Sequence, residues 1–356
     1  MTMKRVFLLL ITLAAIVANA QTEVNAFTPG ANEGVTYSLP ETGIEVTFRA
    51  TCIRRTPGEF SRYAERYLRT KNAIEEADIT WRLDAVEARC VGVPSAANRY
   101  TIRLGNSKAS NIVLNKDGII ESINTRVNRK ETPKTAEHAT TQERIDASQY
   151  MTEEMQQATS SAKMAELVAK EIYMIRESKL AITRGQAENM PSDGAAISLL
   201  LQELDKQEKA LTELFTGRTD TVYHTYSYQI APDEVRDTTK AVILRFSQKL
   251  GVVEKENLAG EPIYYNIRNL NTVAQPVADE TTAKKPEKQA EGVLYNIPGR
   301  AKLEIYSRTR RFLDKEIPIA QFGVTEILSK SLFGKSNTVK VLFDTATGGI
   351  ISINRD

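Results

Sequence analysis

The side chains that most often carry chemistry are scarce in this chain. Its 356 residues hold 2 histidines, His138 and His224, and 2 cysteines, Cys52 and Cys90. That pair of histidines cannot form a His-Glu-x-x-His zinc site, and no Cys-x-x-Cys is present. No Gly-x-Ser-x-Gly nucleophile elbow occurs. Gly334-Lys335-Ser336 lacks the earlier glycine of a phosphate loop, since Ser329 stands at that position. Asn115-Lys116-Asp117-Gly118 lacks the acidic ladder of a calcium loop and reads as a hairpin turn. His138 falls in a polar stretch, and His224 on an apolar strand face that suits a core histidine. Paired carboxylates that hydrolyse glycosides leave no local signature and stay open. No catalytic, cofactor-binding or metal-ligating residue is assigned, and no cofactor is expected.

The ends of the chain say more about where it works. Lys4 and Arg5 precede an apolar run from Val6 to Val17, and Ala18-Asn19-Ala20 follows. This is the pattern of a signal peptide over residues 1–20, cleaved between Ala20 and Gln21. The apolar run is shorter than the roughly 20 residues that span a bilayer, and no later segment is long enough, so the mature chain should lack a transmembrane segment. Loss of Lys4 and Arg5 brings the 47 basic residues level with the 45 acidic ones. A neutral chain gives no footprint for nucleic acid or for an anionic membrane. Export to the periplasm or beyond favours a disulfide between Cys52 and Cys90 over two buried thiols.

The elements that would position any site come in a repeat. Glu33-Gly34-Val35-Thr36-Tyr37-Ser38-Leu39-Pro40 returns as Glu291-Gly292-Val293-Leu294-Tyr295-Asn296-Ile297-Pro298. A turn is expected after each, at Glu41-Thr42-Gly43 and Gly299-Arg300, and then an alternating strand. Gly118-Ile119-Ile120-Glu121-Ser122-Ile123-Asn124 returns, one residue shorter, as Gly349-Ile350-Ile351-Ser352-Ile353-Asn354. Two motifs in the same order predict two related antiparallel β modules, at residues 27–130 and 291–356. Tyr37 and Tyr295 should occupy equivalent places.

Inside the first module, Phe60, Tyr63, Ala64, Tyr67 and Leu68 keep helical spacing after Pro57-Gly58. A polar connection covers residues 131–160. Residues 161–216 then read as two helices of matching length, the first carrying Ala165, Val168, Ile172 and Ile175, the second Ile197, Leu200, Leu204, Leu211 and Leu214. Ser160-Ser161 and Asp193 supply caps, and a short link makes an antiparallel hairpin. Leu167, Leu199 and Leu201 lie off the main stripes and are the candidates for a partner surface. Additional strands occupy residues 219–274, and a Pro- and Lys-containing linker residues 275–290. The fold class is α+β.

The residues Glu33-Gly34-Val35-x-Tyr37, Gly58-Glu59-Phe60-x-x-Tyr63-Ala64-Glu65-x-Tyr67-Leu68, Ile175-Arg176-Glu177-Ser178 and Leu214-Phe215-x-Gly217 also form a pattern. With Ala162-Lys163-Met164-Ala165, Pro191-x-Asp193-Gly194, Glu203-Leu204 and Gly260-Glu261-Pro262, it resembles domain-of-unknown-function family 4831. The resemblance implies an exported bacterial protein and brings no activity or cofactor. The function expected is non-catalytic binding or scaffolding in the cell envelope, with an envelope protein or glycan as partner. The alternative is a carboxylate-dependent hydrolase of glycan or peptide, with its cleft between modules.

Overall fold

The computed structural model describes residues 35–102, 111–125, 145–188, 193–274, 292–333 and 339–355. The signal segment with Ala20 and Gln21, His138, the 275–290 linker and Gly334-Lys335-Ser336 lie outside the described residues.

Three antiparallel sheets and a helical hairpin make up the fold. Strand β1 (Val35–Thr56) pairs on one side with β2 (Asp78–Ile102) and on the other with β5 (Arg218–Ile230). The second sheet comprises β6 (Thr238–Ser247), β7 (Gly251–Val253), β8 (Glu261–Asn269), β9 (Gly292–Tyr306) and β10 (Arg311–Ser329), in the order β10-β9-β8-β6-β7. The third comprises β3 (Ile112–Leu114), β4 (Ile120–Ile123), β11 (Val339–Phe343) and β12 (Ile350–Arg355), in the order β12-β11-β4-β3. It caps one end of the other two. Strands distant in the chain thus meet, β5 joining β1 and β11 joining β4.

β1 is 22 residues long, about 70 Å if extended, and it serves two cores. Val35, Tyr37 and Leu39 enter the core under the cap sheet with Ile120, Val293, Phe333 and Val341. Ile44, Val46, Phe48 and Ala50 enter the sandwich core opposite Leu244, Leu303, Ile305 and Ile319. Odd positions serve the first and even positions the second, so the two cores lie on opposite faces of one strand.

The repeat is visible in the irregularities as well as in the strands. Three extra residues of β2 loop out where the ladder passes from Ser38–Arg99 to Pro40–Pro94. The β9–β10 ladder shifts by the same three residues between Ile297–Val324 and Gly299–Ile319, around Pro298. β1 and β9 run straight through Glu41-Thr42-Gly43 and Gly299-Arg300, where turns were expected. The prolines mark bulges within long strands, the place where a missing N–H is tolerated. The small hairpins also correspond. Leu114 pairs with Ile120 and Phe343 with Ile350, each beside a one-residue irregularity. Gly118 at φ 77° therefore matches Gly348 at φ 74° rather than Gly349, and the length difference moves into the turn. Tyr37 and Tyr295 are not equivalent in environment. Tyr37 is buried and donates to Leu294 O at 2.9 Å, whereas Tyr295 is half-buried and donates to Glu326 at 3.2 Å.

The turn at 344–349 is wedged between the two long hairpins. Asn296 N donates to Gly348 O at 3.1 Å, and Asn296 Nδ2 donates to Thr347 O at 2.8 Å and to Pro40 O at 3.1 Å. Thr42 Oγ1 donates to Ala346 O and accepts from Ala320 N, both at 3.0 Å. The Thr42 backbone exchanges two bonds with the Gln321 amide, at 3.0 and 2.9 Å. A Cβ on Gly92 would fall 1.9 Å from Thr345 O, so the β2 backbone touches this turn directly. Gly92→Ala is expected to cost about 1–3 kcal/mol or more, because backbone has to move. Gly194→Ala, at a helix start with nothing within 4 Å of the new methyl, should be neutral or slightly stabilising. Chemical denaturation of the two variants checks the contrast.

Candidate functional site

The segment most free to meet a partner is the helical hairpin. α3 (Ser161–Thr183) and α4 (Gly194–Thr216) each have 23 residues, about 34 Å at 1.5 Å per residue. The Ser160 hydroxyl accepts from Lys163 N, and Asp193 accepts from Ala195 N, as the caps predicted. The hairpin's own core is at its base. There α1 (Ala64–Leu68), after a 3-10 turn at Ser61–Tyr63, packs with α2 (Glu153–Gln156) against the two long helices. Phe60, Ala64, Val168, Ile172, Leu211 and Phe215 are buried there. Phe60 N donates to Leu214 O at 2.7 Å, and Ile74 N to Thr216 O at 2.9 Å, so the exit of β1 is pinned to the end of α4. Gly58 permits this approach, since a Cβ would lie 2.3 Å from Leu214 O.

Halfway along, charges replace the apolar contact. Glu208 accepts from Arg176 Nε at 2.6 Å and from Lys179 Nζ at 2.8 Å, and Lys179 also pairs with Asp205. Burial pushes the Glu208 carboxyl up, but the bonds from Lys179 and Arg176 outweigh it and hold the group below its ordinary range. The bonds from Asp205 and Glu208 raise the Lys179 ammonium. A depressed carboxylate stabilises the fold above its unfolded value and loses that contribution as pH falls through its folded one. Glu208→Gln should therefore cost about 2 kcal/mol at neutral pH, and its melting temperature should converge on the parent's in acid. Thermal melts across a pH series read this directly.

Beyond the ion pairs Ile182 is still buried, but several leucines reach solvent. Leu180 is 49% exposed, Leu199 66% and Leu200 39%. Leu200 was expected on the buried stripe. It lies in the turns nearest the helix–helix connection, outside the set that packs at the base. Of the three candidate surface residues, Leu199 is exposed, Leu201 is half-buried, and Leu167 packs against the basal core. Leu180, Leu199 and Leu200 are the apolar side chains that the far end offers. Leu180 also falls off the α3 stripe, and its exposure beside buried Ile182 follows from that spacing.

A cleft of about 620 Å³ lies at the foot of the arm, lined by Arg54, Glu59, Asp146, Glu213, Arg218 and Asp220. Arg218 Nε binds Asp220 Oδ1 at 2.5 Å, and Glu59 and Asp146 are exposed. Glu59 and Asp146 stand in water rather than in the desolvated setting that a general-acid carboxyl occupies. Among the described residues, no group of three or more His, Cys, Asp and Glu side chains could hold a metal ion. His224 is half-buried rather than in the core, with its ring 4.8 Å from Trp81 and 6.2 Å from Tyr226.

The expected Cys52–Cys90 disulfide is not formed. Both residues lie on neighbouring strands, as read, but the register sets Cys52 opposite Trp81 and Cys90 opposite Ile44. The eight residue steps of β1 from Ile44 to Cys52 span about 26 Å, against the roughly 7 Å that a bridge allows. Burial, reinforced by the Asp344 carboxylate, pushes the Cys90 thiol up to about 11, so it stays protonated and inert at neutral pH. Two thiols are expected to react with a thiol reagent once the protein is denatured, and reductant should leave the melting temperature unchanged.

Fold and surface together define an α+β protein with three antiparallel sheets and a helical arm that carries exposed leucines. No helix among the described residues is long and apolar enough to cross a membrane. The chain belongs to the family described as domain of unknown function (DUF4831), which matches residues 33–351. No curated protein and no solved structure matches it.

Proposed function

We propose that this is an exported, non-catalytic binding or scaffolding protein of the cell envelope, and that the helical arm engages its partner. The observation that carries this reading is the unequal burial along the arm. Its base holds an apolar core, its middle carries ion pairs, and farther out, around a buried Ile182, Leu180, Leu199 and Leu200 stand in water. Exposed leucines gathered on one element are the apolar surface such an arm would offer a partner. The leader over residues 1–20 supports delivery to the periplasm or the exterior, where an envelope protein or a glycan would be met. In the cleft Glu59 and Asp146 are exposed and Asp220 is ion-paired, which favours binding over hydrolysis.

The combined variant Leu199→Glu and Leu200→Glu tests the reading. Both side chains are exposed, so the melting temperature should move by only a degree or two, in line with surface substitutions worth about 0.5 kcal/mol. Capture of envelope components by the immobilised protein should fall at least tenfold. Unchanged capture, or a collapse of stability, would count against the arm as the binding element.

A further inference from the structure

The cap sheet contains the same hairpin twice. Ile112, Val113 and Leu114 of β3 hold the positions of Val341, Leu342 and Phe343 of β11, and β4 corresponds to β12. A two-fold axis between the hairpins would bring like strands together at the centre of the sheet. Instead β11 lies on β4, with Val341 opposite Ile123 and Leu342 opposite Ser122. The junction is head-to-tail and does not close on itself. Its borders are β12, which repeats β4, and β3, which repeats β11. The two borders of one molecule therefore copy the two edges that already meet in its middle.

The two borders differ in burial, Ile112 on β3 being buried and Ile353 on β12 exposed. The row Ile112, Ile123, Val341, Ile353 crosses the whole sheet in register. Ile123, which β11 covers, is fully buried, whereas its counterpart Ile353 is 45% exposed. Glu121 is buried at 7% exposure, and its counterpart Ile351 stands 59% exposed. Native sheet edges are usually guarded by lysine, proline or an inward charge. The border strand Ile350–Arg355 has no lysine or proline, and its one charge, Arg355, stands at its last residue. Asn124 donates across the internal junction to Val339 O at 3.1 Å, and Asn354 stands at the matching place on β12.

We propose that β12 receives the β3 edge of a second copy of this chain, repeating the β4–β11 junction between molecules. Ile112 of the second copy then faces Ile353, Val113 faces Ser352, and the added copy presents a fresh β12. Assembly is head-to-tail and open-ended, with one more four-stranded sheet per molecule. The contact is at the other end of β1 from the helical arm, and it does not depend on the arm's role.

Directed cross-linking of the full chain tests the proposal. Ser352→Cys and Val113→Cys are placed in separate copies, mixed and mildly oxidised. The expected product is a cross-linked dimer from the mixture and none from either variant alone. A chain carrying both substitutions should give a ladder of dimers, trimers and higher species. Ile351→Lys in that chain, at an exposed position, should cut the ladder at least tenfold while leaving the melting temperature in place. Sedimentation velocity of the unsubstituted chain should show mass rising with concentration. Dimers from Ser352→Cys alone would mean a two-fold β12–β12 contact and would overturn the proposal. So would a monomer across the accessible concentration range, whether a segment of the same chain or a foreign strand covers β12.

Discussion

The architecture depends on how backbone hydrogen bonds are made good where two prolines interrupt two long hairpins. Proline donates no ladder bond, and at Pro40 and Pro298 the register slips by three residues. Buried amides and carbonyls left there would each cost as much as a lost hydrogen bond or more. The terminal turns of the two repeats supply the partners. Ser38 N donates to Gly118 O at 2.9 Å, and Asn296 N donates to Gly348 O at 3.1 Å. The Asn296 side chain then reaches back to the Pro40 carbonyl. Each turn needs a glycine in the left-handed region to present its carbonyl, which Gly118 and Gly348 provide.

The rest follows from those docking points. Because the cap sheet is held at the breaks, β1 can bury odd residues beneath the cap and even residues in the sandwich without a hinge between them. The same strand delivers Phe60 to the base of the arm, so three cores share one continuous element. The arm is packed at its root by α1 and α2 and carries exposed leucines farther out. The cap, assembled from two copies of a hairpin without a closing symmetry, has dissimilar borders.

Much of this was legible in the chain. Periodicity and caps located both long helices to within a residue or so, and the repeated Glu-Gly-Val segments signalled the duplicated hairpins. The failures share a physical cause, which is that pairing is non-local. Pro40 and Gly43 read as a turn because the loop-out is on β2, a different part of the sequence. Cys52 and Cys90 lie on adjacent strands, but only the register shows that eight rungs part them. The Leu200 stripe is genuine, yet a stripe is buried only where something covers it, and α1 and α2 cover just the base. β7 is three residues long and escaped notice, although Gly251 at φ 79° is required beneath the Trp81 ring, where a Cβ would come within 2.7 Å.

Native-state hydrogen exchange at the Ser38 and Asn296 amides tests the central claim most directly. Both lie beside a break in the ladder and bond only to a terminal turn. If those turns are integral to the fold, the two amides exchange as slowly as Phe48 and Leu303 in the sandwich core, through global unfolding. Exchange at the rate of solvent-exposed loop amides, with the sandwich still protected, would show that the cap detaches on its own and would contradict the account.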